Sequence, residues 1–143
     1  MVERRPAPTW FRATVIVLLL WGAAGCFACF QQFRLGADAM GPADAYQRAL
    51  YASLPVWYNP VYAVAVAAGF LGALALYVRA AHALPLFIVS LIAVIVQFGW
   101  LFATTDIIAH RGPGTAGFPL FIVAITASEL WLARHAARRG WIG

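Results

Sequence analysis

The sequence predicts an all-α integral membrane protein, a bundle of four transmembrane helices with a short interfacial helix between the first two spans. Three observations carry that reading. Hydrophobic residues make up 64% of the 143-residue chain and the mean hydropathy is +0.80, against roughly 45–50% apolar content in ordinary soluble domains. Only 10% of residues are charged, and they gather at the ends and between apolar runs, as expected where a bilayer core penalises charge by about 2.5–3.5 kcal/mol per residue. Four apolar stretches each approach the roughly 20 residues needed to cross about 30 Å of hydrocarbon. Backbone groups in lipid must be satisfied within their own segment, so these stretches read as helices; the period-2 alternation of a barrel is missing.

The spans are expected at about 10–33, 56–78, 84–105 and 118–133 of one transmembrane domain. A signal peptide is the competing reading of the first, because Glu3-Arg4-Arg5 precedes an apolar run, but that run continues well past the 7–15 residues of a signal h-region. The connection at 35–55 is long enough for structure of its own. Gly41 and Pro42 can start a helix, Asp44 complements its dipole and stands i,i+4 from Arg48, and Tyr46, Leu50, Tyr51 and Leu54 share a face. The segment is read as an interfacial helix or a cap on the bundle. The connection at 79–85 is short and forces an antiparallel hairpin; the one at 106–117 carries His110-Arg111-Gly-Pro-Gly and reads as a turn-rich loop.

All ten basic residues are arginine, and five acids leave a formal charge of +5. That balance resembles a nucleic-acid binder, but the arginines flank membrane spans and no basic patch is interleaved with exposed aromatics, so nucleic acid is not an expected partner. Arg4, Arg5, Arg12, Arg79, Arg134, Arg138 and Arg139 fall on one side of the bilayer. Arg34, Arg48 and Arg111 fall on the other, offset by Asp38, Asp44 and Asp106. The positive-inside rule then places both termini in the cytoplasm. Trp10, Phe11, Trp57, Tyr58, Tyr62, Tyr77, Trp100, Phe118, Trp131 and Trp141 lie near span ends and read as interfacial anchors.

Few residues offer chemistry. Cys26 and Cys29 have the Cys-x-x-Cys spacing of thiol exchange or half a zinc site, yet no other cysteine completes a metal site and packing is the plainer role. His82, His110 and His135, read as inner hairpin, outer loop and C-terminal tail, do not converge, so neither metal nor cofactor is expected. Glu129 is the one acid inside a span, which makes it a functional hypothesis by default; lying near the cytoplasmic end, it is expected to snorkel or to pair with Arg12 or Arg134. Gln32, Gln97, Trp100 and Thr104 are candidates for a small outward polar pocket. Gly22 and Gly25, with Ala65, Gly69 and Ala73, form small-residue faces that seat either a neighbouring span or a second protomer.

Pro8-Thr-Trp10, Leu20-Trp21-Gly22, Leu50-Tyr51, Leu54-Pro55-Val-Trp57, the run from Leu84 to Ser90-Leu with Gln97, and Gly140-Trp141 resemble a group of small four-span bacterial membrane proteins, some loosely labelled "sugar transporter". The likeness covers nearly the whole chain, and it implies a multi-pass protein of a bacterial inner membrane. The expected role is a non-enzymatic accessory or interaction subunit, binding itself or a larger membrane complex. The alternative is a small-solute, sugar-like transporter working as an oligomer. A minor alternative is a membrane thiol oxidoreductase through Cys26 and Cys29.

Overall fold

A computed structural model describes residues 6–38 and 42–143; Arg4, Arg5 and Gly41, used in the sequence reading, lie outside the described residues. Within them the chain is all-helical: α1 (Thr9–Leu35), α2 (Ala45–Ala52), α3 (Tyr58–Tyr77), α4 (Ala83–Thr104), α5 (Ile107–Arg111) and α6 (Gly117–Arg138), with short 3-10 turns at Gly36–Asp38 and Pro113–Ala116. Helices α1, α3, α4 and α6 are each long and apolar enough to cross a membrane. At 1.5 Å per residue they measure about 30–40 Å. The protein is a multi-pass membrane protein with four spans.

Most ends of the long helices have a sequence cause. Pro8 takes the extended N-cap position of α1, where its missing N–H costs nothing. Helix α6 closes at Gly140, whose φ is +77°; the Trp141 amide then reaches the Ala136 carbonyl at 2.8 Å and the Gly140 amide the Ala137 carbonyl at 3.2 Å. That left-handed closure favours glycine. Helix α3 ends in the same way on Arg79, with φ +63° and Ala80 bonded back to the Ala75 carbonyl at 2.7 Å. A side chain in that conformation costs about 1–2 kcal/mol, and Arg79 has work to set against it: its Nε donates to the Trp141 carbonyl at 2.7 Å. In return the Gly143 amide donates to the Arg79 carbonyl at 3.1 Å. The α3–α4 turn and the segment after α6 thus clasp each other, which seats Ile142 in the core. Helix α6 runs to Arg138, past the 133 expected from hydropathy, because Leu132, Ala133 and Ala136 keep its inner face buried.

Packing follows the small residues. Helix α1 lies on α3, α3 on α4, and α4 on α6. A Cβ on Gly22 would stand 2.9 Å from Phe70 Cα, and one on Gly72 would stand 2.6 Å from the Phe87 ring. Gly69 leaves room for Ser90, whose hydroxyl donates to the Ala65 carbonyl at 2.7 Å. The small-residue faces of α1 and α3 are therefore taken up by neighbouring spans of the same chain. Helices α1 and α6 meet more loosely, through side chains: Trp10 beside His135 at 6.4 Å and Trp21 edge-on to Phe121 at 5.8 Å.

Two apolar clusters result. One, at the end of the bundle that carries Arg12, Arg79, Arg134, Arg138 and Arg139, contains Phe11, Val15, Leu76, Phe87, Leu132 and Ala136. The other, toward the opposite end, joins Ala65, Ala93 and Val94 to Val61, Phe98, Ile122 and Val123. Val17, Leu20, Phe27, Ile92, Leu120 and Trp131 point outward, a surface that suits hydrocarbon and not water. Two expected anchors belong instead to the interior: Phe11 is 2% exposed and Tyr58 is 5% exposed. Both stand at span ends, but the C-terminal segment covers the first, whose ring lies 5.2 Å from that of Trp141, and the Tyr58 ring packs 5.7 Å from Trp100.

Candidate functional site

Glu129 lies between the two apolar clusters. It is 4% exposed and stands on the buried face of α6 with Thr126, Leu132, Ala133 and Ala136, about 13 Å from the Arg138 end of the helix at 1.5 Å per residue. Its side chain turns into the bundle. The expected pairing with Arg12 or Arg134 is not made: the ion pairs among the described residues are Arg48 with Asp38 and Arg111 with Asp44, both at the opposite end. The reason is rotational. Glu129 shares its face with the core residues one turn on, whereas Arg134 sits on the exposed side of the same helix.

Few other polar side chains are buried among the described residues. From α4, Ser90 and Gln97 are buried, and from α6 itself, Thr126. The Ser90 hydroxyl is held by Ala65 and the Thr126 hydroxyl by the Ile122 carbonyl at 2.9 Å, so neither donates to the carboxyl. Between Arg12 and Arg34 of α1, and throughout α3 and α4, there is no Asp, Glu, Lys or Arg. A carboxyl so placed, 4% exposed and with no counter-charge among the described residues, is costly to hold in charged form.

The other expected pocket residues make contacts of their own, Gln97 and Trp100 both against Tyr58. The Gln32 amide donates to the Asn59 side chain at 2.6 Å, and Asn59 donates to the Tyr51 hydroxyl at 3.1 Å. This chain ties α1, α3 and α2 together. Gln97 reaches the Tyr58 hydroxyl. Trp100 packs edge-on to Trp57 at 5.9 Å. The Thr104 hydroxyl donates to the Trp100 carbonyl of its own helix at 2.6 Å. Thr104 opens onto a recess of about 410 Å³ between α2 and the end of α4, lined also by Tyr46, Leu50, Ser53, Thr105 and Asp106.

That recess has a latch which the sequence reading missed. Helix α2 starts with a capping box in which Gln47 N–H donates to Asp44 at 2.8 Å and Asp44 N–H to the Gln47 side chain at 3.0 Å. The other Asp44 oxygen takes Arg111 across 67 positions of sequence, so the expected Asp44–Arg48 pair gives way and Arg48 turns to Asp38 at 3.8 Å. The Tyr46 hydroxyl donates to Asp106 at 2.8 Å, its ring stacks on His110, and Arg111 lies 5.2 Å from the ring centre. The Gln47 amide, and after it the Arg111 guanidinium, hold the Asp44 carboxyl below its usual range. Loss of water, and then donation to Asp106, push the Tyr46 hydroxyl up. The segment read as a turn-rich loop is in fact α5 and a 3-10 turn, built to present Asp106, His110 and Arg111 to α2. Hydropathy carries no signal for such a pairing. The one hint was that Asp44, Asp106 and Arg111 fall on the same side of the bilayer.

Cys26 and Cys29 are free thiols. The Cys26 thiol lies 3.7 Å from the Val66 carbonyl oxygen as a hydrogen-bond donor, and Cys29 is buried, both against α3. His135 belongs to α6 and not to a tail; it stacks on Trp131 at 5.0 Å and 8°. Among the described residues no three His, Cys, Asp or Glu side chains gather as a metal site would require. Comparison with protein-family models, with curated proteins and with solved structures finds no match to this chain.

Proposed function

We propose that the chain is a small transport protein that couples solute movement across the bilayer to proton binding at Glu129. The observation that carries this reading is the burial of that carboxyl inside the bundle with no ion-pair partner among the described residues. Such a group costs stability, and within spans ionisable residues mark proton relays and ion pathways. A proton neutralises it in the closed bundle; its release requires water or a cation to reach the site. Coupling is thereby built into the choice between a wet, charged Glu129 and a dry, neutral one. The recess under α2 is within the usual size range of small-molecule sites and lies at the opposite end from the half of α6 that holds Glu129. The solute class is sugar-like, on the strength of the resemblance alone.

The test is uptake into proteoliposomes holding a pH-sensitive dye, with glucose as the probe solute and an imposed proton gradient. Gradient-driven glucose entry with acidification, abolished in Glu129→Gln and kept in part in Glu129→Asp, is the expected result. Uptake and acidification equal in the wild type, Glu129→Gln and protein-free vesicles would overturn it.

An accessory subunit is the second reading, and it draws on one feature. Phe27, Phe30 and Phe33 project outward from α1, Phe27 being 64% exposed, and form a ladder at the end of the bundle nearest α2. A stoichiometric partner that co-purifies with the wild type and is lost in the triple Phe→Ala variant would favour that role.

A further inference from the structure

The last three turns of α6 carry an outward stripe that the transport reading does not use. Ala127, Leu130, Trp131, Arg134, His135 and Arg138 line a shallow recess of about 220 Å³. Their order along the helix is chemical as well as geometric. Deepest is the small Ala127 beside Leu130, an apolar notch. One turn nearer the end is Trp131, 61% exposed. Beyond it, Arg134 and Arg138 stand i,i+4 on one face, about 6 Å apart at their Cβ atoms.

The platform between these parts is fixed. The His135 ring lies parallel to Trp131 at 5.0 Å, and its other contacts are Trp141 at 5.3 Å and Trp10 at 6.4 Å. Helix α1 and the C-terminal segment therefore hold the imidazole, and the imidazole holds the indole. The two arginines carry uncompensated charge: among the described residues, Asp38, Asp44 and Asp106 lie at the opposite end of the bundle, and Glu129 faces inward from the same helix.

Read from the end of α6 inward, the stripe offers two guanidinium groups, an exposed indole and an apolar notch. A glycerophospholipid presents its complement in the same order: a phosphodiester, glycerol esters, an acyl chain. We propose that this stripe is a binding site for one anionic glycerophospholipid, its phosphate held between Arg134 and Arg138 and an acyl chain laid over Trp131 and Leu130 into the notch at Ala127. Guanidinium groups suit phosphate oxygens by their planar fork of donors, and a zwitterionic lipid would bring its ammonium group against the same two cations.

Native mass spectrometry tests the site. Delipidated full-length protein in detergent is titrated with phosphatidylglycerol or with phosphatidylcholine, and the bound lipid is counted. The wild type should retain one phosphatidylglycerol in preference to phosphatidylcholine. Arg134→Gln/Arg138→Gln should lower that affinity about thirtyfold, since each arginine near an anionic head group is worth about a fivefold factor. Arg139→Gln, on the same end but off the stripe, should bind as the wild type does. Trp131→Ala, an exposed position whose loss leaves the core intact, should also weaken retention. Equal binding by the wild type and both stripe variants overturns the proposal, as does equal retention of phosphatidylcholine. Competition by millimolar inorganic phosphate as effective as by lipid would show a soluble-anion site and likewise overturn it.

Discussion

The Tyr46 ring lies face to face on the His110 ring, with centroids 3.8 Å apart and planes 10° from parallel. The stack joins a short helix between the first two spans to a short helix between the last two, so the end of the bundle is closed by two loops gripping each other. Asp44 with Arg111 and Tyr46 with Asp106 complete the grip.

Acid should loosen it. Asp44 has a depressed folded-state carboxyl, so its contribution is present above the unfolded-state value of about 3.9 and is lost as the pH falls through the folded value. Hydrogen–deuterium exchange should show α2 amides protected at pH 6–7 and losing protection below about pH 4, while α3 and α4 amides stay protected. Asp44→Asn should give the low-pH pattern at neutral pH, because, like protonation, it removes the charge that holds Arg111 while leaving an oxygen to cap Gln47.

Replacing Glu129 with leucine should separate stability from function. A buried carboxyl without a counter-charge is less favourable than an apolar side chain of similar volume, so Glu129→Leu should raise the thermal midpoint in detergent by the equivalent of about 1–2 kcal/mol while ending proton-coupled uptake. A midpoint lowered by a similar amount would mean that the carboxyl has a structural partner.

Glycine positions in the spans should divide by what a methyl group meets. Gly22→Ala pushes a Cβ to within 2.9 Å of Phe70 Cα, a backbone atom that cannot swing away, and Gly72→Ala drives one into the Phe87 ring. Each should destabilise by about 1–3 kcal/mol from overpacking. Gly99, in α4, has no atom within 4 Å of the same position, so Gly99→Ala should stabilise by up to about 1 kcal/mol through helix propensity alone. Thermal midpoints of the three variants, measured side by side, check the contrast.

The clasp on Arg79 gives a fourth test. Arg79→Ala keeps the left-handed strain and loses the bond to the Trp141 carbonyl, so residues 139–143 should become sensitive to carboxypeptidase while the spans resist. Arg79→Gly relieves the strain and should be the more stable of the two, by about 1 kcal/mol.

Residue patterns made the spans legible because lipid imposes one strong rule: a long run without charge must close its own backbone hydrogen bonds. The bounds of α3 and α4 sit within a residue or two of that reading. Rotation about each axis was less legible. Glu129 was expected nearer the end of its span than it lies, because α6 continues past 133 to Arg138, and its direction depends on Leu132, Ala133 and Ala136 sharing its face. Phe11 and Tyr58 were misplaced for a related reason, since an aromatic at a span end looks the same whether it faces head groups or a folded-back segment. The Asp44–Arg111 pair bridges 67 positions and leaves no periodic trace. Ser90 and Gly69, by contrast, were visible as a polar residue and a small-residue repeat, and only their mutual contact needed the fold.

The seam between α1 and α6 gives the bundle the mechanics of a bound book. Its spine is α3 against α4, where Phe87 fills the notch at Gly72 and Ser90 bonds to Ala65, and spreading that joint would mean withdrawing a ring from the opposite backbone. Its fore-edge is held by pairs such as Trp10 with His135 and Trp21 with Phe121, contacts worth about 0.5–1.5 kcal/mol each beyond area burial and replaceable by lipid or by one another. Parting the covers breaks side-chain contacts alone, whereas opening the spine displaces Phe87 from Gly72. Stiffness in this protein is therefore lopsided, and the compliant side belongs to the two helices that start and finish the bundle.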